Sequence, residues 1–186
     1  LIFSSQLCRR IILKNLTMKK FLLSVFVLLM FAKFSNAQVD VSQAKASFIY
    51  NFTKFFDWPQ TEKSGDFIIG VFGSRELFNH LEKVTNGKKN VTQNIIVKYF
   101  NTKNDITKCH VIFVDALKSD YISNIHESTG VHCLIISDSY LGIEKGATIQ
   151  FITEDDKLKY AFSGGNALKH GLKYHSKVAE MASKNY

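Results

Sequence analysis

Phe67-Ile68-Ile69-Gly70-Val71-Phe72 decides the fold of this chain. The run is apolar throughout, interrupted only by Gly70. A strand with one wet face alternates apolar and polar residues. A strand covered on both faces does not, and that second pattern belongs to parallel sheets. Val111–Val114 and Leu134–Ile136 repeat it, and Ile95–Phe100 is a further strand candidate. Amphipathic segments lie between these runs. Leu77, Phe78, Leu81 and Val84 form one, and Leu117, Tyr121, Ile122 and Ile125 form another. The order strand, helix, strand, strand, helix, strand describes an α/β domain, a three-layer Rossmann-like sandwich with a mostly parallel central sheet. The link Asn101–Cys109 is short for a crossover and is expected to hold one helical turn.

Ahead of the first strand run, Asp40 can cap a helix, with Gln43 three residues on completing a capping box. Phe48, Ile49, Phe52, Phe55 and Phe56 share one apolar face at helical period. Trp58-Pro59 is expected to end that helix, because proline disfavours helical geometry in the residue before it. At the other end of the chain, Ala147–Thr153 and Leu158–Ser163 flank Glu154-Asp155-Asp156-Lys157, a hairpin with a polar turn. A terminal helix is then expected, with Leu168, Leu172, His175, Val178, Ala179 and Ala182 on one face. Its start, Ser163-Gly164-Gly165-Asn166, is small and polar.

Met18–Ala37 has the three parts of a secretory signal peptide. Met18-Lys19-Lys20 is cationic, Phe21–Ala32 is an apolar run of twelve residues, and Ser35-Asn36-Ala37 places small residues where a signal peptidase reads. About 20 residues are needed to span a bilayer, so a retained anchor is the weaker reading. Export to the periplasm with cleavage after Ala37 is the expectation. Residues 1–17 are read as translated upstream sequence, or as a longer cationic leader carrying Arg9, Arg10 and Lys14. Residues 38–186 then form a single domain.

The charge balance excludes one class of partner. The whole sequence has 24 Lys and Arg against 16 Asp and Glu, a net charge of +8. Six of those cations and none of the acids lie in residues 1–37, which leaves 18 against 16 in the expected mature chain. A nucleic-acid surface needs a basic stripe on the folded domain, and none is left.

Parallel strands present their carboxyl ends along one edge, where ligands of α/β sheets sit. Gly73, Ser74 and Arg75, Asp115, and Ser137 and Asp138 are expected to gather there. They would act as a small-molecule or anion site, or the two aspartates would cap the segments that follow them. Ser163, Gly164, Gly165 and Asn166 form a second candidate of the same kind, with a tight turn as the plainer reading. Tyr50 and Trp58 fall off the apolar stripe of the first helix and are candidates for a protein contact. Cys109-His110 and His132-Cys133 invite a metal reading. Neighbours on a strand point to opposite faces, however, so each pair splits its ligands. A Cys109–Cys133 disulfide or two buried thiols are the better alternatives. There is neither a G-x-S-x-G elbow nor an H-E-x-x-H helix in the sequence. No cofactor, metal or catalytic residue is expected.

One resemblance runs through the whole expected mature chain. Lys45-Ala46-Ser47-Phe48-Ile49-Tyr50-Asn51-Phe52-Thr53-Lys54-Phe55-Phe56-Asp57-Trp58-Pro59 resembles the K-A-x-F-x-Y-N-F-x-K-F-x-x-W-P opening of the YfiR family. Phe67–Gly73, Cys109–Val114, Leu134–Asp138 and Gly146–Thr153 resemble its later strands in order. Gly171-Leu172-Lys173 and Ser176-Lys177-Val178 resemble its closing segment. The resemblance implies a periplasmic regulator, not an enzyme. Such a repressor binds the periplasmic sensing domain of a membrane-bound diguanylate cyclase, or of another sensor such as a histidine kinase, and holds down cyclic-di-GMP output. It also implies an outer-membrane lipoprotein that sequesters the repressor, a homodimer, and redox control through disulfides. A periplasmic small-molecule-binding module is the alternative function.

Overall fold

The computed structural model describes residues 40–186; the readings placed on residues 1–37 lie outside the described residues. The first described element is helix α1 (Val41–Phe52), whose N-cap Asp40 accepts from the backbone N–H groups of Ser42 and Gln43. The helix stops earlier than Trp58-Pro59. The Thr53 hydroxyl donates to the Tyr50 carbonyl, the backbone tightens into a turn, and Phe56–Asp57 (β1) leaves as a strand. Strand β2 (Phe67–Phe72) follows, and Ser74 caps helix α2 (Arg75–Thr85) through Leu77 N–H. β3 (Lys89–Asn90) turns into β4 (Gln93–Phe100). The short link to β5 (Val111–Val114) holds a 3₁₀ turn at Lys103–Asp105, boxed by Thr102 and Asp105.

Five strands form the parallel heart of the sheet, in the spatial order β4-β2-β5-β6-β7, with β6 at Leu134–Ser137 and β7 at Ile149–Glu154. The chain reverses its direction of travel across the sheet between β2 and β5, which makes their carboxyl ends a topological switch point. The hairpin expected near the end is present: β8 (Lys157–Phe162) returns antiparallel to β7. Its two-residue turn, Asp155-Asp156, has positive φ at both positions (52° and 57°). That is the geometry whose twist matches the flanking strands. With β3 and β10 (Lys184–Asn185) at its margins, the sheet has eight strands.

Each face of the sheet carries its own apolar cluster. Phe67, Ile69, Val71, Phe113 and Ile136 pack under Ile49 and Phe52 of α1 and Leu77 and Leu81 of α2. Phe72, Ile112, Val114 and Ile135 pack under Ile106, Ile122 and Ile125 on the other side. This is the three-layer α/β sandwich, with one helical layer and one thin layer.

The thin layer departs from the expectation of an α-helix through Leu117, Tyr121, Ile122 and Ile125. Ala116–Asn124 is a 3₁₀ helix, followed by a single α-turn, α3 (His126–Thr129). Three residues per turn brings Ile122 and Ile125 onto one side, and both are buried. Leu117 and Tyr121 are left facing solvent, Leu117 at 92% exposure.

The terminal helix is likewise not continuous. It is divided into α4 (Gly164–Lys169), strand β9 (Lys173–Tyr174) and α5 (Ser176–Glu180). Gly171 causes the break: its φ of +65° belongs to the left-handed region, and Leu172 N–H closes back onto the Ala167 carbonyl. β9 then pairs antiparallel with β1, so the two ends of the domain are stitched together.

Candidate functional site

The carboxyl edge of the sheet is built by loops that bind one another. Asp115 N–H donates to the Phe72 carbonyl, and Gly73 N–H donates to that of Phe100. Gly73 has φ +100°, and a Cβ there would stand 2.9 Å from Asp115 Cβ and 3.0 Å from Lys118 Cγ. Only glycine therefore lets the β2 loop pass this close to the β5 loop. The Asp115 and Lys118 side chains thus pack against the β2 loop at the switch point. Asp115 itself caps the 3₁₀ helix through Leu117 N–H at 3.0 Å.

Asp138 is the tie between layers. Oδ1 accepts from Ala116 N–H at 2.8 Å, and Oδ2 meets Lys45 Nζ of α1 at 2.6 Å. Both side chains of this ion pair are about four-fifths buried, at 18% and 19% exposure. The Ser137 hydroxyl donates to the Val114 carbonyl and accepts from Ser139 N–H. Arg75 turns away from this cluster and lies over the Tyr99 ring at 3.6 Å. Of the six carboxyl-edge candidates, Gly73, Asp115, Ser137 and Asp138 are thus joined into the packing of the loops. Ser74 is the cap of α2, and Arg75 is a surface cation stacked on an aromatic ring.

A cavity of about 430 Å³ opens beside Asp138, lined also by Lys45, Tyr140, Glu154, Leu158 and Lys184. Asp138 alone among the carboxyl-edge candidates reaches it. A larger cleft, about 670 Å³, lies away from this edge along α2 and β4, between Lys83, Lys88 and Ile96. It contains none of the candidates, and its walls are a helix end and a strand near the sheet margin.

Two exposed side chains make a rim to the smaller cavity: Tyr140, which lines it and is 90% exposed, and Leu117, next in sequence to the lining residue Ala116 and 92% exposed. Tyr121 and Leu141 are about 40% exposed. The loop carrying Tyr140 and Leu141 is held rigid from beneath. Gln150 donates to the Tyr140 carbonyl and accepts from Ile143 N–H. The amphipathic spacing puts Leu117 and Tyr121 on the apolar face of an α-helix with Ile122 and Ile125. The 3₁₀ winding that turns them outward leaves no signature in the apolar spacing.

The other candidates fall elsewhere. Trp58 is 4% exposed, packs edge-on against Phe67 at 4.8 Å, and donates from Nε1 to the His132 carbonyl. It is a core residue, not a surface contact. Tyr50 is half-buried, its ring flanked by Lys54 and Lys88 ammonium groups at 4.4 and 4.3 Å. Ser163 caps α4, and Asn166 donates to the carbonyls of Ile143 and Ala147. Gly164 leaves room for the Tyr174 hydroxyl, which would stand 2.6 Å from a Cβ at that position. The Ser163–Asn166 segment is therefore a staple at the amino end of β7.

Cys109 and Cys133 are both buried free thiols in the cluster under the 3₁₀ layer. Burial and the neighbouring Cys109 hold the Cys133 thiol well above its ordinary pKa. His110 points the other way and stacks on Phe67 at 4.5 Å. The cysteine and the histidine of this pair thus split across the strand. His110 Nδ1 accepts from Ile68 N–H, so Nε2 carries the proton and donates to the Glu62 carbonyl. Burial pushes this imidazole below its usual pKa.

One group of potential ligands escaped the sequence reading altogether. Asp40, Glu76 and His80 bring one donor atom each within 4.8 Å of one another. The Glu76-x-x-x-His80 spacing on α2 was the available signal. Asp40 lies too far off in sequence to join it without the fold.

Among the described residues, no helix is long and apolar enough to cross a membrane. No curated protein matches the chain. A family model described as YfiR/HmsC-like matches residues 42–183. That match spans nearly all of the described domain, and the chain belongs to the YfiR/HmsC-like family.

Proposed function

We propose that this protein is an exported regulator that docks on the extracytoplasmic sensing domain of a membrane signalling protein and lowers its output. A diguanylate cyclase is the first candidate, and a histidine kinase the second. Family membership across residues 42–183 carries this reading. The signal-peptide pattern of Met18–Ala37 supports it, because export would put the domain on the side of the membrane where such sensing domains lie. The exposed, rigidly held Leu117–Tyr140 rim supplies a surface of the right chemistry. Aromatic and aliphatic anchors on a fixed loop cost little entropy to bury against a partner. Regulation requires differential affinity: the protein must bind the inactive conformation of the sensor better than the active one. A coupling of about 1–3 kcal/mol is ordinary for such control.

The test is capture of envelope proteins on the immobilised protein, followed by assay of the captured sensor. Recovery of a membrane cyclase or kinase whose activity falls as the protein is added supports the reading. Recovery of sensors whose activity is unchanged by it overturns the repressor role.

A second reading is a small-molecule module, favoured by the cavity beside Asp138, where Lys45, Glu154 and Lys184 place both signs of charge around Tyr140 and Leu158. A zwitterionic metabolite such as an amino acid suits that lining. A rise in apparent melting temperature with such compounds, absent in Asp138→Asn, would support it.

A further inference from the structure

We propose that Asp40, Glu76 and His80 form a binding site for one divalent first-row transition cation, with Zn²⁺ its preferred occupant. Glu76 and His80 stand four residues apart on α2 and therefore share one face of the helix. Asp40 arrives from the start of α1, so the set joins two elements distant in sequence. His80 Nε2 and Asp40 Oδ2 are already 2.8 Å apart. The three donors lie within 4.8 Å of one another, whereas donors around a tetrahedral zinc stand about 3.4 Å apart. Closing the set asks for side-chain adjustments of about an ångström.

Two further observations favour a metal over a simple ion pair. The Asp40 carboxylate is oriented from outside the set, because Oδ1 accepts from Ser42 and Gln43 N–H at 3.0 and 3.2 Å. That leaves Oδ2 aimed at His80. Hydrogen bonding that fixes a ligating carboxylate in this way is the usual support of a metal ligand. The His80 side chain is also only 20% exposed, so its ring is held in place by the packing of α2. One imidazole nitrogen with two carboxylates suits zinc and its neighbours. Calcium and magnesium select all-oxygen sets. Glu76 is exposed, so the remaining coordination positions open to water. An ion here would clip the first turn of α1 to α2. It would also steady the segment from Asp40 and Val41 to Lys45, of which the last two line the cavity beside Asp138.

Calorimetric titration of the purified, metal-free protein with Zn²⁺, and absorption titration with Co²⁺, test the site. One saturable equivalent is expected, unchanged by excess Ca²⁺ or Mg²⁺. His80→Gln and Asp40→Asn should each weaken it by about tenfold or more, at least the loss that follows removal of an outer-shell partner. Asparagine caps helices as well as aspartate does, so the second variant keeps the fold of α1. Unchanged far-UV circular dichroism of the metal-free variants separates ligand loss from unfolding. His126→Gln, on the opposite layer, should bind as the unaltered protein does. Absence of saturable binding overturns the proposal, as does binding undiminished in His80→Gln or weakened equally in His126→Gln.

Discussion

Two single groups in the interior set measurable properties. Thr148 is fully buried, and among the described residues its hydroxyl is the one buried side-chain polar atom without a hydrogen-bond partner. Thr148→Val keeps the shape and removes the unmet polar group, so stability should rise by about 1 kcal/mol in urea unfolding. His110 is the second. Burial lowers its pKa, and it accepts from Ile68 N–H while donating to the Glu62 carbonyl, a pairing that only the neutral ring can make. The unfolded chain takes up that proton near pH 6.5, and the folded chain takes it up only at lower pH. Stability contributed by the neutral ring is therefore complete above about pH 6.5 and declines as acid is added below it. His170, buried and bonded to the Gly146 carbonyl, adds to the slope with the same sign. Urea unfolding between about pH 7 and 5 should show this decline. His110→Gln, whose amide can accept and donate in the same places, should flatten it; an unchanged slope would remove His110 as a cause. At this scale the sequence was legible where a residue acts locally. Asp40 read as a cap and is one. Trp58 did not read as core, because its burial depends on Phe67 and on a carbonyl 74 positions away.

Elements were legible wherever apolar spacing and a local stop signal agreed. The β2, β5 and β6 runs, the α2 stripe capped by Ser74, and the β7–β8 hairpin with its Asp155-Asp156 turn all stand where their residues placed them. Besides the early end of α1, the spacing misled in two places, for one reason: apolar residues at helical intervals are compatible with more than one winding. Leu117, Tyr121, Ile122 and Ile125 fit an α-helix, yet the 3₁₀ segment buries only the last two. The final stretch fits a single helix, yet Gly171 divides it. This second case makes a prediction about the element. Gly171→Ala would force a side chain into the left-handed region and place a Cβ 2.8 Å from the His132 ring. The backbone term alone costs about 1–2 kcal/mol. Urea unfolding should report at least that loss. Ala167→Gly, which opens space instead, should leave the position of the break unchanged in the pattern of amide exchange. If Gly171→Ala costs nothing, the break is set by the β1–β9 pairing and not by the glycine.

For the molecule as a whole, the order of apolar runs and the family resemblance pointed to the same fold, while the surface that would meet a partner had to come from the structure. The carboxyl edge is the region to which the sequence pointed. Its expected polar residues are consumed in holding the loops together, and what they hold outward is apolar. Asp138 fastens the β5 loop at Ala116, and Gln150 fastens the loop carrying Tyr140, so Leu117 and Tyr140 are presented on braced backbone. Large side chains exposed on rigid loops stabilise nothing in the free protein. Substituting them therefore separates docking from folding. Leu117→Asp and Tyr140→Ala should leave the unfolding midpoint within the small range typical of surface changes, about 0.5 kcal/mol. If the Leu117–Tyr140 rim is the docking surface, each should weaken binding to the captured sensor by more than about 1 kcal/mol, roughly five- to tenfold in affinity, as truncation of an interface anchor does. Lys83→Ala in the larger cleft along α2 and β4 should change neither. Retained affinity in the Leu117→Asp, Tyr140→Ala double variant would move the docking surface off this edge. Concurrent loss of affinity in Lys83→Ala would move it to the cleft between α2 and β4, where the ridge of the helix and the margin of the sheet offer a groove in place of a rim.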